Sequence, residues 1–254
     1  MSLLSQIHHG KRAAPRRTLV HGGPGVGKSN AAASSKKPIF VQTEDGLGEI
    51  DCSKFPLSRT FGEVMAALEE LRTAPHDFQT VVIDSLDWLE RLIWQEVCTA
   101  ENVSNIEKIG FQKGYTYALN YWRKVLDALE DLRRERGMAI ILIAHTKIEK
   151  FQTPEDSTFD RFSPRLHKLA AAVVMEWADE ILFATYSAAT DPKKVKNVTP
   201  ERVMRTCEGP THVAKNRLNM PPELPLEWAA YEYFAPVLSG YKSSNGKGLR
   251  LSLC

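Results

Sequence analysis

Residues 21–30 read His-Gly-Gly-Pro-Gly-Val-Gly-Lys-Ser-Asn, and Gly22, Gly27, Lys28 and Ser29 fit the pattern G-x-x-x-x-G-K-[ST] without a mismatch. A loop of this kind works only between a strand and a helix, so it constrains the fold as well as the chemistry. Gly22, Gly23, Gly25, Val26 and Gly27 let backbone N–H groups close around the β- and γ-phosphates of a nucleoside triphosphate. Lys28 adds a point charge between them, the Ser29 hydroxyl supplies one Mg²⁺ ligand, and Asn30 opens a helix whose positive end faces the phosphates. Thr18-Leu19-Val20, β-branched and apolar, provides the preceding strand. ATP and Mg²⁺ are the expected cofactors.

Along the chain, apolar strands alternate with helical patterns, which predicts an α/β fold with a mostly parallel central sheet flanked by helices. Residues 38–42 and 80–83 read as strands, and 138–144, the most apolar run, as a central one. Helices are expected over 61–71 and 86–97, and a long one ends near Gly137, with Ala118, Trp122, Val125, Leu129 and Leu132 on its buried stripe. Pro164 reads as the first turn of a helix reaching Ala178, followed by a strand over 181–186. After a turn at 187–200, residues 202–206 and 211–214 read as a C-terminal hairpin. Residues 1–16 form a basic tail, 17–238 the core and 239–254 a Gly/Ser/Lys-rich tail; Lys11, Arg12, Arg16 and Arg17 read as a solvated basic patch at the N-terminus.

Three further groups complete the chemistry of a hydrolase. Val81-Val82-Ile83-Asp84 is a buried strand ending in a carboxylate, which would face Mg²⁺ beside Ser29. Asp87 is the alternative carboxylate, and helix capping is its expected role. Glu44 follows the second strand at the same sheet edge, where a carboxylate can orient and deprotonate the attacking water. His145 ends the 138–144 strand at the corresponding edge and is placed to sense the γ-phosphate.

The order of these elements resembles the RecA-like recombinase core, and within it the phage nucleotide-binding proteins of the Sak type, single-strand annealing proteins that consist of little more than that core. The resemblance rests on the phosphate loop, on Phe-Val-Gln-Thr-Glu-Asp-Gly-Leu at 40–47, Val-Val-Ile-Asp-Ser at 81–85, Ile-Ala-His-Thr-Lys at 143–147 and Ala-Lys-Asn-Arg at 214–217. It implies that Glu44 is the catalytic glutamate and His145 the γ-phosphate sensor. It also implies that Lys215 and Arg217 are the basic pair that one subunit reaches across to a neighbour's ATP. Asn30 stands where such loops usually carry Thr. The partners implied are single-stranded DNA, further copies of the chain in a filament or ring, and a single-strand-binding protein. Two other readings stay open, a helicase-type motor or loader and a nucleotide-gated scaffold with little turnover.

Two polar interruptions are the expected DNA contacts. Residues 99–114, continuing to Tyr115, contain Lys108, Phe111 and Lys113, and residues 147–163 contain Lys147, Lys150, Phe151, Phe159, Arg161 and Phe162. Cations neutralise phosphates and aromatic faces stack on unpaired bases, a mixture suited to single strands. Such local patches have to carry any affinity, because Lys+Arg 33 against Asp+Glu 31 leaves a net charge of only +2. The longest apolar run, 138–144, is too short to span a bilayer, and the N-terminal residues lack the apolar stretch of a secretion signal. Cys52, Cys98, Cys207 and Cys254 are scattered without metal-ligand spacing. A cytoplasmic setting with no membrane partner is expected.

Overall fold

A computed structural model describes residues 4, 7, 9, 10, 14–152, 158–187 and 200–235. The expected tails 1–16 and 239–254 and the turn at 187–200 therefore lie mostly or wholly outside the described residues, as do Lys11 and Arg12. Arg16 and Arg17 are described, and they are not a solvated patch. Arg16 pairs with the fully buried Glu180, and Arg17 with Asp179 at 2.8 Å.

The chain runs β1 (Arg17–Gly22), α1 (Lys28–Ala33), β2 (Pro38–Gln42), β3 (Ser53–Lys54), α2 (Phe61–Thr73), β4 (Thr80–Asp84), α3 (Leu86–Ala100), α4 (Lys113–Glu135), β5 (Ala139–Gln152) and β6 (Thr158–Pro164). It continues with α5 (Lys168–Trp177), β7 (Glu180–Tyr186), β8 (Arg202–Arg205), β9 (Glu223–Pro225) and α6 (Trp228–Glu232). The sheet order is β3-β2-β4-β5-β1-β7-β8-β9, parallel from β3 through β7 and antiparallel beyond, with β6 paired to the outer part of β5. Among the described residues no helix is long and apolar enough to cross a membrane.

Strand alternation builds two cores on the two faces of one sheet. Leu19, Val41, Val81, Ile83, Ile140 and Leu142 face α2, α3, α4 and α5, whereas Val20, Phe40, Val82, Ile141 and Ile143 face α1, α6 and the C-terminal segment. Both sets are buried, which explains why the central strands read as continuous apolar runs rather than alternating ones. Local signals agree: α2 opens on a capping box formed by Thr60 and Glu63, and α4 is followed by Gly137 at a positive φ of 67°.

Three expectations are corrected. The polar stretch after residue 146 is not a loop: β5 continues to Gln152 and pairs antiparallel with β6, Ile148 opposite Phe162 and Phe151 opposite Phe159. Pro164 consequently ends a strand instead of starting a helix, and α5 begins at Lys168. The C-terminal antiparallel pair exists, but the partner of β8 is β9, at Glu223–Pro225, while His212 and Lys215 instead bridge singly to Phe162 and Ile181. The polar interruption itself stands between α3 and α4, with 3-10 turns at Ile106–Lys108 and Gly110–Gln112.

Candidate nucleotide site

At the C-terminal edge of the parallel strands, the β1–α1 loop, the end of β2, the end of β4 and the middle of β5 enclose a cavity of about 370 Å³. Pro24, Gly25, Gly27, Lys28, Ser29, Asn30, Glu44, Asp84, His145 and Arg202 are among the residues lining it. This is the place where an α/β sheet of this connectivity binds ligands.

The loop needs its glycines. A Cβ at Gly22 would overlap the carbonyl oxygen of Ala184 in β7, and Gly27, which precedes α1, takes a φ of 108°. Just before the loop, His21 is wholly buried: Nε2–H donates to the Val213 carbonyl at 2.8 Å, and Nδ1 accepts from the Thr146 hydroxyl at 3.2 Å. Burial lowers its pKa to about 4, so a neutral ring pins the start of the loop to β5.

Lys28 donates to the carbonyls of Gly22 and Gly23 at 3.1 and 2.9 Å, folding over its own loop. Burial lowers its pKa, opposed by the carboxylates of Asp84, Asp87 and Glu44. The Ser29 hydroxyl donates to Asp84 at 2.6 Å. Burial pushes the Asp84 carboxyl above the usual range, with the Ser29 bond and the Lys28 charge opposing it. A hydroxyl and a buried carboxylate in contact are the donor set a Mg²⁺ ion of a phosphate loop uses, so both cofactor expectations fit the residues present.

Glu44 is held from one side. The Ser85 hydroxyl donates to its carboxylate at 2.9 Å, and Ser85 is itself clasped by Thr43, whose hydroxyl donates to the Ser85 carbonyl at 2.7 Å and accepts from its N–H at 3.0 Å. Across the cavity, His145 Nδ1 lies 3.8 Å from Glu44.

Asp87 corrects the capping expectation. Its carboxylate accepts from the His145 backbone N–H at 3.0 Å and ring Nδ1 at 3.0 Å, and from Arg165 at 2.5 Å. Burial opposes ionisation, yet these donors hold it well below the usual carboxylate range. Glu44, Asp87 and His145 bring ligand atoms within 4.8 Å of one another, but the Arg165 guanidinium already supplies positive charge there. Neither the role of Asp87 nor that of Arg165 is legible in sequence. Arg202 was missed for the same reason: β8 runs antiparallel to β7, which brings Arg202 opposite Tyr186 and onto the phosphate edge.

Lys215 and Arg217 stand at the other end of the sheet. Lys215 pairs with Ile181 near the start of β7, and its ammonium donates to the carbonyls of Met175, Glu176 and Ala178 at the end of α5. Arg217 lies 3.4 Å from Asp179 and is half exposed. Neither serves the phosphate loop of its own chain.

The expected DNA contacts divide. Phe111 is 96% exposed, and Lys113 and Lys150 are also exposed. Tyr115 instead stacks on His167 at 4.1 Å, Lys108 donates to Ser104, and Lys147 donates to the Leu166 carbonyl. Arg161 pairs with Glu208 and lies over the Phe151 ring, which tilts against Phe159 at 5.5 Å, while Phe162 stacks on Phe183 at 5.3 Å.

The family described as "AAA domain" matches residues 14–218. The SPbeta prophage-derived uncharacterized protein YorG of Bacillus subtilis (strain 168) is 21% identical over 182 residues, covering 69% of this chain and 52% of the relative. This chain thus spans about half the length of that curated relative. Among solved structures, a chain of the RadB recombinase crystal structure is similar over 76% of this chain and 81% of its own, at 15% identity and a TM-score of 0.42.

Proposed function

The chain belongs to the AAA domain family, and from that premise we propose a phage-type ATPase that binds single-stranded DNA, hydrolyses ATP between its own copies, and serves recombination or strand annealing as Sak-type proteins do. The prophage origin of the YorG relative supports the phage setting, and host cytoplasm is the corresponding location. One observation carries the reading: β5 runs without a break from the central sheet, past His145 in the nucleotide cavity, into the exposed pairing with β6 that bears Lys150 and Phe151. The nucleotide cavity and a surface of mixed charge and exposed aromatics thus share one strand.

Bound Mg²⁺, held by Ser29 and through water by Asp84, would supply charge to the polyphosphate. Lys28 exchanges its two loop carbonyls for phosphate oxygens. Glu44, oriented by Ser85, accepts the proton of the attacking water, and His145 donates a hydrogen bond toward the γ-phosphate position. Arg217 comes from a neighbouring copy, since its own phosphate loop lies at the opposite sheet edge. A guanidinium there stabilises charge as the terminal phosphoryl transfers and makes turnover depend on assembly. A single-strand-binding protein is the expected companion on the same DNA.

The test combines turnover with assembly. Hydrolysis should rise with single-stranded DNA, and DNA affinity should fall steeply with salt. Arg217→Ala should bind ATP yet hydrolyse it poorly, and mixing it with Lys28→Ala should restore part of the turnover once mixed oligomers are verified, because each mixed interface holds one complete set of groups. Verified mixed oligomers without recovered turnover sink the assignment of Arg217. Turnover without annealing or strand exchange favours a motor, and ATP binding without turnover favours a scaffold.

A further inference from the structure

We propose that Asp87 is a positioning residue for hydrolysis: it sets the orientation and tautomer of His145, and through Arg165 it ties that ring to the base of the β5–β6 hairpin. The inference rests on the reading of His145 as the group that meets the γ-phosphate.

The carboxylate is made for this pairing and for little else. It sits in the first turn of α3, directly behind β4, and its side chain is 4% exposed. It accepts both the main-chain N–H and the ring Nδ1 of His145, so backbone and side chain of one residue are fixed by one group. Nδ1 lies 3.0 Å from a carboxylate that can only accept when ionised, hence Nδ1 carries a proton; the Arg165 guanidinium, 3.3 Å from Nδ1, has Asp87 as its nearer acceptor at 2.5 Å. Nε2 is then the ring nitrogen left to meet a ligand in the cavity that His145 lines, and it donates to a phosphate oxygen only as the imidazolium, whose charge Asp87 balances. A histidine whose far nitrogen donates to a carboxylate is stiffened in orientation and made a better base, and the carboxylate supports the imidazolium when it forms. The groups facing this ring come from four elements: Glu44 after β2, Asp84 at the end of β4, Asp87 on α3 and Arg165 after β6.

Arg165 extends the link. It is the first residue after β6; its N–H donates to the His145 carbonyl at 2.8 Å and its guanidinium to Asp87 at 2.5 Å. A shift of the hairpin base therefore moves a cation on the same carboxylate that aims His145. Asp87→Asn breaks the arrangement: an amide offers one acceptor and one donor where three donors converge, so an N–H must face the ring or the guanidinium. Without the carboxylate's charge the imidazolium loses its support, and the neutral ring that remains carries its proton on Nε2.

Two measurements decide the matter. In wild type, ¹⁵N NMR of His145 should show Nδ1 protonated, and in Asp87→Asn it should show Nδ1 bare. In steady-state hydrolysis, Asp87→Asn should lower kcat on the order of 10–100-fold with KM changed less than about threefold, and adding His145→Ala should cost no more. A wild-type ring protonated only at Nε2 overturns the proposal even if the variant does not fold. So does Asp87→Asn turnover equal to wild type, or losses that add. Wild-type protein that shows no turnover overturns the ATPase reading instead, and the NMR result still separates the two.

Discussion

Residues 99–114 and 147–163 carry the same mixture of lysines and aromatics, yet the first winds into short turns ahead of α4 while the second pairs into an antiparallel ladder. In the turns the aromatic at the tip is spent on nothing: Phe111 stands 96% exposed at a φ of 56°, a backbone region that bulky side chains rarely adopt. In the ladder the aromatics are committed, Phe162 to Phe183 and Phe159 to Phe151, and Arg161 to Glu208. The ladder also grows from the strand that lines the nucleotide cavity, which the turns do not. By composition alone the two segments are equivalent candidates for DNA contact. Their folds make one a surface continuous with the strand that lines the cavity and the other a protruding tip.

The largest expected effect tests that coupling. Glu44→Gln keeps ATP but loses its base, so turnover should fall by roughly 10²–10⁴ while ATP affinity stays near wild type. With ATP retained, amide exchange should slow in the ladder around residues 147–151 and stay unchanged in 105–112. Equal slowing in both segments would erase the distinction.

A smaller effect lies where the two regions meet. Glu90 on α3 accepts from the His167 N–H at 2.9 Å, and the His167 ring stacks on Tyr115 at the start of α4. Burial raises the Glu90 pKa from 4.5 to about 7, against the pull of the His167 bond. A raised carboxyl favours the folded state fully below its unfolded value, and that contribution is lost as pH climbs from about 4.5 through 7. Glu90→Gln removes the loss, so the variant should match wild type near pH 4.5 and exceed it by roughly 1–3 kcal/mol at pH 8. Urea melts at the two pH values measure it. His21, lowered to about 4, works in the opposite direction, losing stability as pH falls from 6.5, and does so equally in both proteins.

The smallest pair of effects separates tip from ladder directly. Phe111→Ala should weaken single-strand binding by about 1–3 kcal/mol and leave stability within about 0.5 kcal/mol, since nothing packs on the ring. Phe162→Ala should lower stability by about 1–3 kcal/mol through the lost stack on Phe183, whatever it does to DNA. Fluorescence anisotropy with a labelled single strand and parallel melts read both. A destabilised Phe111→Ala, or a Phe162→Ala as stable as wild type, would reverse the assignment.

Local sequence determined the strands and helices of the core and the phosphate end of the site. The loop at 22–29, the strand ending at Asp84 and the acid at 44 are set by short-range pattern, because glycine torsions, apolar runs and strand ends are properties of neighbouring residues. Connectivity then delivers all three to one sheet edge, as right-handed crossovers between parallel strands require. Tertiary structure alone decided the rest. Asp87 reads as a helix cap until β5 lies beside β4 and brings His145 onto it, and Arg165 and Arg202 acquire roles only when β6 and β8 run back antiparallel. The polar stretch at 147–163 reads as a loop because each half lacks an apolar face of its own; it becomes a ladder when the two halves supply one another's hydrogen bonds. Such pairings are set by contacts between distant residues, and their energy has no signature in either segment taken singly.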